Sequence, residues 1–285
     1  MDAEVRGPML TSILVALDGS PCGVAATTLA LDWARRFGAR LLAIGIVDDA
    51  GIRRPEPVPL GAGAYKKMRD DARVVDAHRR VAELLADFRT RAAAAGARAE
   101  ILEEVGDPAE RILWEAQRAD VVMLGRETRF KFETPERRDA TLAQVVRSSP
   151  RPMIVVPETL PEGAGILVAY GGGREAARTL QIFALLGLAA GETLDVLTIH
   201  RETAEARVIA RAADDFLAAR GVVHRVHTVA SSAAPAEVLL EEVHSRRPRL
   251  LVLGAHRDHP LRDLFATSVT RAVLRACPTP IFVGA

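Results

Sequence analysis

Two sets of residues in this chain have the types and spacing to bind an anion. The first is Asp18-Gly19-Ser20 with Gly125-Arg126-Glu127. The second is Gly171-Gly172-Gly173 with Gly254-Ala255-His256-Arg257. Glycine lets a ligand come close to the backbone, and a helix that starts after such a turn offers free N–H groups and a favourable dipole. Thr141 and Ser268 stand where such helices would begin. Other residues carry weaker chemistry. His256 and His259 flank Asp258 in one loop, yet a metal needs further ligands and a rigid frame. His224 and His227 fall on opposite faces of a strand and form no ligand pair. Cys22 near a helix start is read as a small buried hydrophobe. Arg126, Arg129, Lys131, Arg137 and Arg138 alternate with Glu127, Glu133, Glu136 and Asp139, which reads as a solvated, ion-paired loop. There is no Gly-x-Ser-x-Gly elbow and no Walker loop.

These candidate loops come in two sets because the chain reads twice. Ser12–Ser20 resembles Gly165–Gly173, and Pro108–Leu113 resembles Pro235–Leu240. Val121–Gly125 resembles Leu250–Gly254, and Val145–Val155 resembles Val273–Val283. Four blocks recurring in one order at this distance indicate a duplicated domain rather than a solenoid. Domains are expected at 1–158 and 164–285. The first half is longer, mainly through the Pro- and Gly-containing stretch from Asp49 to about Arg69, which reads as a loop. The connection Glu158–Gly163 spans at most roughly 20 Å, so the halves are expected side by side.

Each half alternates strands and helices. The expected strands of the first half are 13–17, 41–47, 98–104, 121–124 and 153–156. Its helices are expected at 21–37, 70–95, 108–118 and 141–148. In the second half the expected strands are 166–170, 194–200, 222–229, 250–253 and 281–283, and the helices 174–190, 203–220, 235–245 and 268–276. Such alternation gives α/β domains with a five-stranded, doubly wound parallel sheet and helices on both faces. Ligands in such sheets bind beyond the strand C-termini where the strand order reverses. The apolar last strands would be sticky if bare, so a pairing of these edges is expected, giving an internal pseudo-dimer.

Composition narrows the partners. The 285 residues carry 38 Lys+Arg against 37 Asp+Glu, and 4% are aromatic. That balance argues against a nucleic-acid platform. No apolar run is long enough to span a bilayer. The first residues lack a signal core, and two cysteines make no disulfide framework, so a cytoplasmic location is expected.

The segments Ile13–Pro21, Pro150–Val156 and Pro278–Val283 are similar to those of the universal stress protein family, and the similarity extends over nearly the whole chain, twice. This resemblance implies a tandem member with an adenine nucleotide alpha hydrolase-like fold and a role in stress response through ligand binding and protein interaction. ATP-binding members carry Gly-x2-Gly-x9-Gly-Ser/Thr after strand four and an Asp that ends strand one. The first half keeps Asp18 and Gly125, but Thr128 takes the second glycine position and Asp139-Ala140 replaces Gly-Ser. The second half keeps Gly254 and the spacing, with Ser268 as the hydroxyl, followed by Val269 and Thr270. There Arg257 and Thr267 replace glycines, and Gly171 replaces the Asp.

Three readings follow. In the first, both ATP motifs are degenerate, Ser268 is a helix cap and Gly254 a turn glycine, and no cofactor is required. In the second, the second half binds ATP or another adenine nucleotide or anion as a regulatory switch, with Arg257 or Arg262 supplying charge. The third is a slow nucleotide hydrolase, which needs a positioned water and metal; His256 and His259 are the only base candidates in the matching loop. The partners expected are an adenine nucleotide or other anion, a protein of unknown identity, and further copies of the chain in a homo-oligomer.

Overall fold

A computed structural model describes residues 10–131, 139–254 and 269–284. Its contacts divide the chain into two compact units. One is Ser12–Pro150. The other comprises the described residues of Met1–Thr11 and Arg151–Ala285.

The unit Ser12–Pro150 is built on strands β1 (Ser12–Leu17), β2 (Arg40–Val47), β3 (Ala99–Val105) and β4 (Val121–Gly125). All pairings are parallel, in the order β3-β2-β1-β4. Every β1 residue is buried, as expected of a strand covered on both faces. Helix α1 (Pro21–Phe37) starts where the side chain of Ser20 accepts from the Gly23 N–H, with Pro21 in the first turn. It stops at Gly38, whose φ of 70° is left-handed.

The expected loop 49–69 is a loop at 53–62 and helical on either side. A single turn, α2, covers Asp49–Ile52, and α3 runs over Gly63–Ala94, starting seven residues before Asp70. The cause is tertiary. Asp70 is buried and ion-paired to Lys66 one turn earlier, while Arg69 pairs with Glu56 and Asp70. Further along, Ala77, Val81, Leu85, Phe88 and Ala92 face the sheet at helical spacing. Gly45 of β2 allows their close approach, since a β-carbon there would lie 2.7 Å from Val81 Cγ1. Helix α4 (Pro108–Glu115) is capped by Asp107 and ends in a 3-10 turn over Ala116–Arg118. It packs on α5 (Thr141–Ser148). Edge strand β3 carries Glu100, Glu103 and Glu104, charges that discourage pairing with a foreign strand.

The second unit has strands β5 (Met153–Val156), β6 (Ile166–Ala169), β7 (Leu194–His200), β8 (His224–Ala230), β9 (Leu250–Leu253) and β10 (Ile281–Val283). Their order is β8-β7-β6-β9-β10-β5. The first five are parallel. β5, which ends the first sequence half, runs antiparallel on β10 with Met153 opposite Val283 and Val155 opposite Ile281. Helices α6 (Arg174–Leu185), α7 (Thr203–Ala218), α8 (Pro235–Arg246) and α9 (Val269–Ala276) connect the strands. α6 pairs with α7 and α8 with α9, as a chain that winds first one way and then the other requires. Phe183 of α6 meets Phe282 of β10 edge-to-face at 5.5 Å between ring centroids. α6 stops before the expected Ala190 because Gly187, at φ 69°, turns the chain. Among the described residues no helix is long and apolar enough to cross a membrane.

Candidate functional site

In each unit the strand order reverses beside the first strand, between β1 and β4 and between β6 and β9. The loops after these strands are where a ligand would sit.

In the first unit that place is held by the chain itself. Asp18, just beyond β1, is 1% exposed. Its Oδ1 accepts from Ser20 N at 3.0 Å and lies 2.8 Å from Ser20 Oγ. Its Oδ2 accepts from the backbone N–H of Arg129 at 2.6 Å. Ser20 Oγ is also 3.0 Å from the Glu127 carbonyl and accepts from Gly23 N at 2.9 Å. Its single proton serves either Asp18 or Glu127. These bonds draw the loop after β4 down onto the end of β1. Burial pushes the Asp18 carboxyl above its ordinary range. Bonds from Ser20 and Arg129 oppose that shift, and the charge of Asp139 adds to it.

Asp139 holds the other side of the loop. One carboxylate oxygen accepts from Phe130 N at 2.7 Å and the other from Thr141 N at 2.9 Å. Phe130 is buried beneath. A carboxylate at this position repels phosphate, and it also occupies the Thr141 N–H at the start of α5, a donor that a phosphate would use. The hydroxyls of Thr128 and Thr141 are buried and have no hydrogen-bond partner among the described residues.

Gly125 and Gly254 have a second role. A β-carbon on Gly125 would lie 2.8 Å from the Cys22 carbonyl carbon and 2.8 Å from Gly23 N. On Gly254 it would lie 2.9 Å from both Ala176 N and Ala176 Cα. In both units this glycine lets the fourth strand touch the first turn of the first helix. Packing alone therefore requires it.

The second unit differs at the end of its first strand. Gly171 stands where Asp18 does, and among the described residues a β-carbon on it would meet nothing within 4 Å. For Gly173, at the cap of α6, the same holds among the described residues. Gly172 is constrained, with φ 73° and Ile209 Cγ2 2.8 Å from where its β-carbon would be. Glu175, in the first turn of α6, is buried and paired with Arg174. Val269 and Thr270 open α9, and Thr270 Oγ1 donates to the Gly254 carbonyl at 3.4 Å. Arg257, Thr267 and Ser268 lie outside the described residues, as do His256, His259 and Arg262.

Comparing the two units shows a paired change that sequence reasoning passed over. Asp18 and Gly23 correspond to Gly171 and Ala176. A β-carbon at Gly23 would collide with the Asp18 carboxylate. Where the carboxylate is gone, the β-carbon has returned. The signal was present in the aligned halves as a swap of small and acidic residues five positions apart.

The remaining candidates separate. His224 bonds Asp214 at 2.8 Å and His227 bonds Asp195 at 3.0 Å, so the two histidines serve different carboxylates. Cys22 and Cys277 are buried, and neither is in a disulfide. Among the described residues no cluster of His, Cys, Asp and Glu could hold a metal ion.

Two α/β repeats, each with a doubly wound parallel core and its loops gathered at the reversal point, define a tandem nucleotide-hydrolase-like architecture. The chain belongs to the universal stress protein family, whose sequence pattern matches residues 9–157 and again 165–283. The universal stress protein Slr1230 of Synechocystis is 27% identical over 164 residues, covering 57% of this chain and 56% of that protein. The match thus spans little more than half the length of that relative. A universal stress protein from Archaeoglobus fulgidus shares the fold with a TM-score of 0.72 at 17% identity, over 96% of this chain and 97% of the other. A functionally unknown protein from Pseudomonas aeruginosa does so with a TM-score of 0.59 at 16% identity, over 96% and 92%.

Proposed function

We propose that this chain is a cytoplasmic stress-response protein that acts by ligand binding and protein interaction, with two unequal halves and no dedicated reaction. The first half is a closed, structural repeat. The second offers the open glycine turn, Gly171–Gly173, to an adenine nucleotide or another anion. The observation that carries this reading is Asp139, whose carboxylate takes the Phe130 and Thr141 N–H groups. With Asp18 also turned onto Ser20 and Arg129, the first half spends its own carboxylates on the donors a ligand would need. Gly171 and Gly173 are exposed, and among the described residues nothing fills the place of a β-carbon at either; this, before a twelve-residue helix, supports the second half as the binding half.

Equilibrium dialysis with ATP tests this, alongside mass analysis of small molecules released on denaturation. One equivalent per chain is expected. Gly173→Asp places a carboxylate at an unstrained cap position, so the fold should hold while ATP affinity falls at least about tenfold. Ser268→Ala should also weaken binding, by about 1–2 kcal/mol, the scale of a hydrogen bond to a charged group. Two equivalents would refute the closed first half, and no binding would refute the open second half.

A further inference from the structure

We propose that the outer edge of β8 pairs with the same edge of a second copy of this chain, the two β8 strands antiparallel about a two-fold axis at His227. β8 ends the strand order of its unit, and among the described residues no strand lies on its outer side. The first unit has such an edge in β3. Each of the two strands is seven residues long, and they are finished differently. β3 carries Glu100, Glu103 and Glu104. β8 carries no acid, and its one fixed charge, Arg225, lies among Val226, Thr228 and Val229. Charges guard an edge that must stay bare, whereas β-branched residues suit one that is paired. Val223, just before β8, is 81% exposed, and the pairing would cover it.

The backbone fixes how the copies meet. In a parallel ladder alternate residues turn both N–H and C=O towards the neighbouring strand. Ser231 N donates to the His200 carbonyl, so Arg225, His227 and Val229 face β7, while His224, Val226, Thr228 and Ala230 turn outward. With the axis at His227, His224 comes opposite Ala230 of the other copy and Val226 opposite its Thr228. Every outward N–H then meets an outward C=O. Arg225 comes opposite Val229, and Val223 opposite Ser231, so no like charges are opposed. An axis at Val226 would set Arg225 against His227 instead. The edge is also balanced within its own chain. His227 bonds Asp195 at 3.0 Å and His224 bonds Asp214 at 2.8 Å, while Asp195 stands beside Arg225 in the ladder. Such an edge fits its own copy better than it fits an acidic strand. One unguarded edge per chain gives an interface that closes at two copies.

Sedimentation equilibrium over a wide concentration range tests the proposal. The weight-average mass should rise from one 30.7 kDa chain towards twice that value. A mass that stays at one chain throughout overturns it. Thr228→Pro removes an outward N–H and leaves the ladder to β7 its bonds, so the chain should still fold. Association should weaken at least about tenfold, because the axis repeats the lost bond. Undiminished association would place the contact elsewhere and overturn the proposal. His227→Cys sets two thiols across the axis in a closely spaced pair, and mild oxidation should link two chains. Arg225→Cys should give no link, since its own copy lies four residues along the strand. Linking through Arg225→Cys, or through neither variant, overturns the register. Circular dichroism confirms that each variant is folded. If Thr228→Pro does not fold, the two cysteine variants decide.

Discussion

Gly23 and the carboxylate of Asp18 occupy one space: a β-carbon on the first would fall onto the oxygen of the second. Gly23→Ala is therefore expected to destabilise the protein by about 1–3 kcal/mol through overpacking, although alanine is the better helix former. Adding Asp18→Gly reproduces the pair that the second half carries as Gly171 and Ala176 and removes the clash, so Gly23→Ala should cost less on that background than on the parent. Denaturant unfolding of the two single variants and the double variant reads the coupling. Additive effects would show that the two positions do not share space.

Gly125→Ala and Gly254→Ala should each destabilise the ligand-free protein, by about 1–3 kcal/mol. The β-carbon would run into backbone at the first helix turn, which cannot swing aside as a flexible side chain can. Thermal unfolding without nucleotide checks this. Unchanged midpoints would return these glycines to a role in ligand approach alone.

Asp139→Ala removes the group that accepts from Phe130 N and Thr141 N. The expected cost is about 1–3 kcal/mol, the range for hydrogen bonds to a charged group. Hydrogen exchange should become faster at these two amides before it does so in β1. Equal protection in both proteins would show that Asp139 does not hold the loop.

Asp18 and Asp70 should give opposite slopes of stability against pH. Burial holds the Asp18 carboxyl above its ordinary value of 3.8, so the folded chain keeps this proton after the unfolded chain has released it. The stability contributed by Asp18 is greatest below the ordinary value. It falls as pH rises from there to the raised value, then levels off. The bond from Lys66, aided by Arg69, holds Asp70 below its ordinary range. Its contribution is present above that range and is lost as pH falls through the lowered value. Denaturant titrations at several pH values on the parent and Asp18→Asn isolate the first effect. The difference between the two curves should change across the acid window. Parallel curves would show that Asp18 titrates alike folded and unfolded.

Much of the scaffold was legible because local chemistry and tertiary need agree. Ser20, Pro21 and Gly38 bound α1 where their types demand, and the continuous apolar runs became strands covered on both faces. The start of α3 was hidden because its helix-forming residues follow a Pro- and Gly-containing stretch, and what holds it is a buried Asp70 reached by Lys66 and Arg69. The end of α6 was hidden by apolar residues that continue past a glycine with positive φ. At the site, residue types showed that the first half lacked the nucleotide motif. They did not show that Asp139 would fold back onto Phe130 N, because a bond from side chain to backbone across nine positions leaves no period in a sequence.

The antiparallel seat of β5 on β10 means that the boundary between sequence repeats is not a place where the molecule can be cut. A fragment starting after Glu158 would carry every segment of its own repeat and still leave β10 with a bare apolar flank, prone to recruit any passing strand. A fragment ending there would keep β5 without the β10 seat it occupies in the intact chain. Each sequence repeat thus completes its fold with a segment that pairs across the repeat boundary, through one four-residue strand.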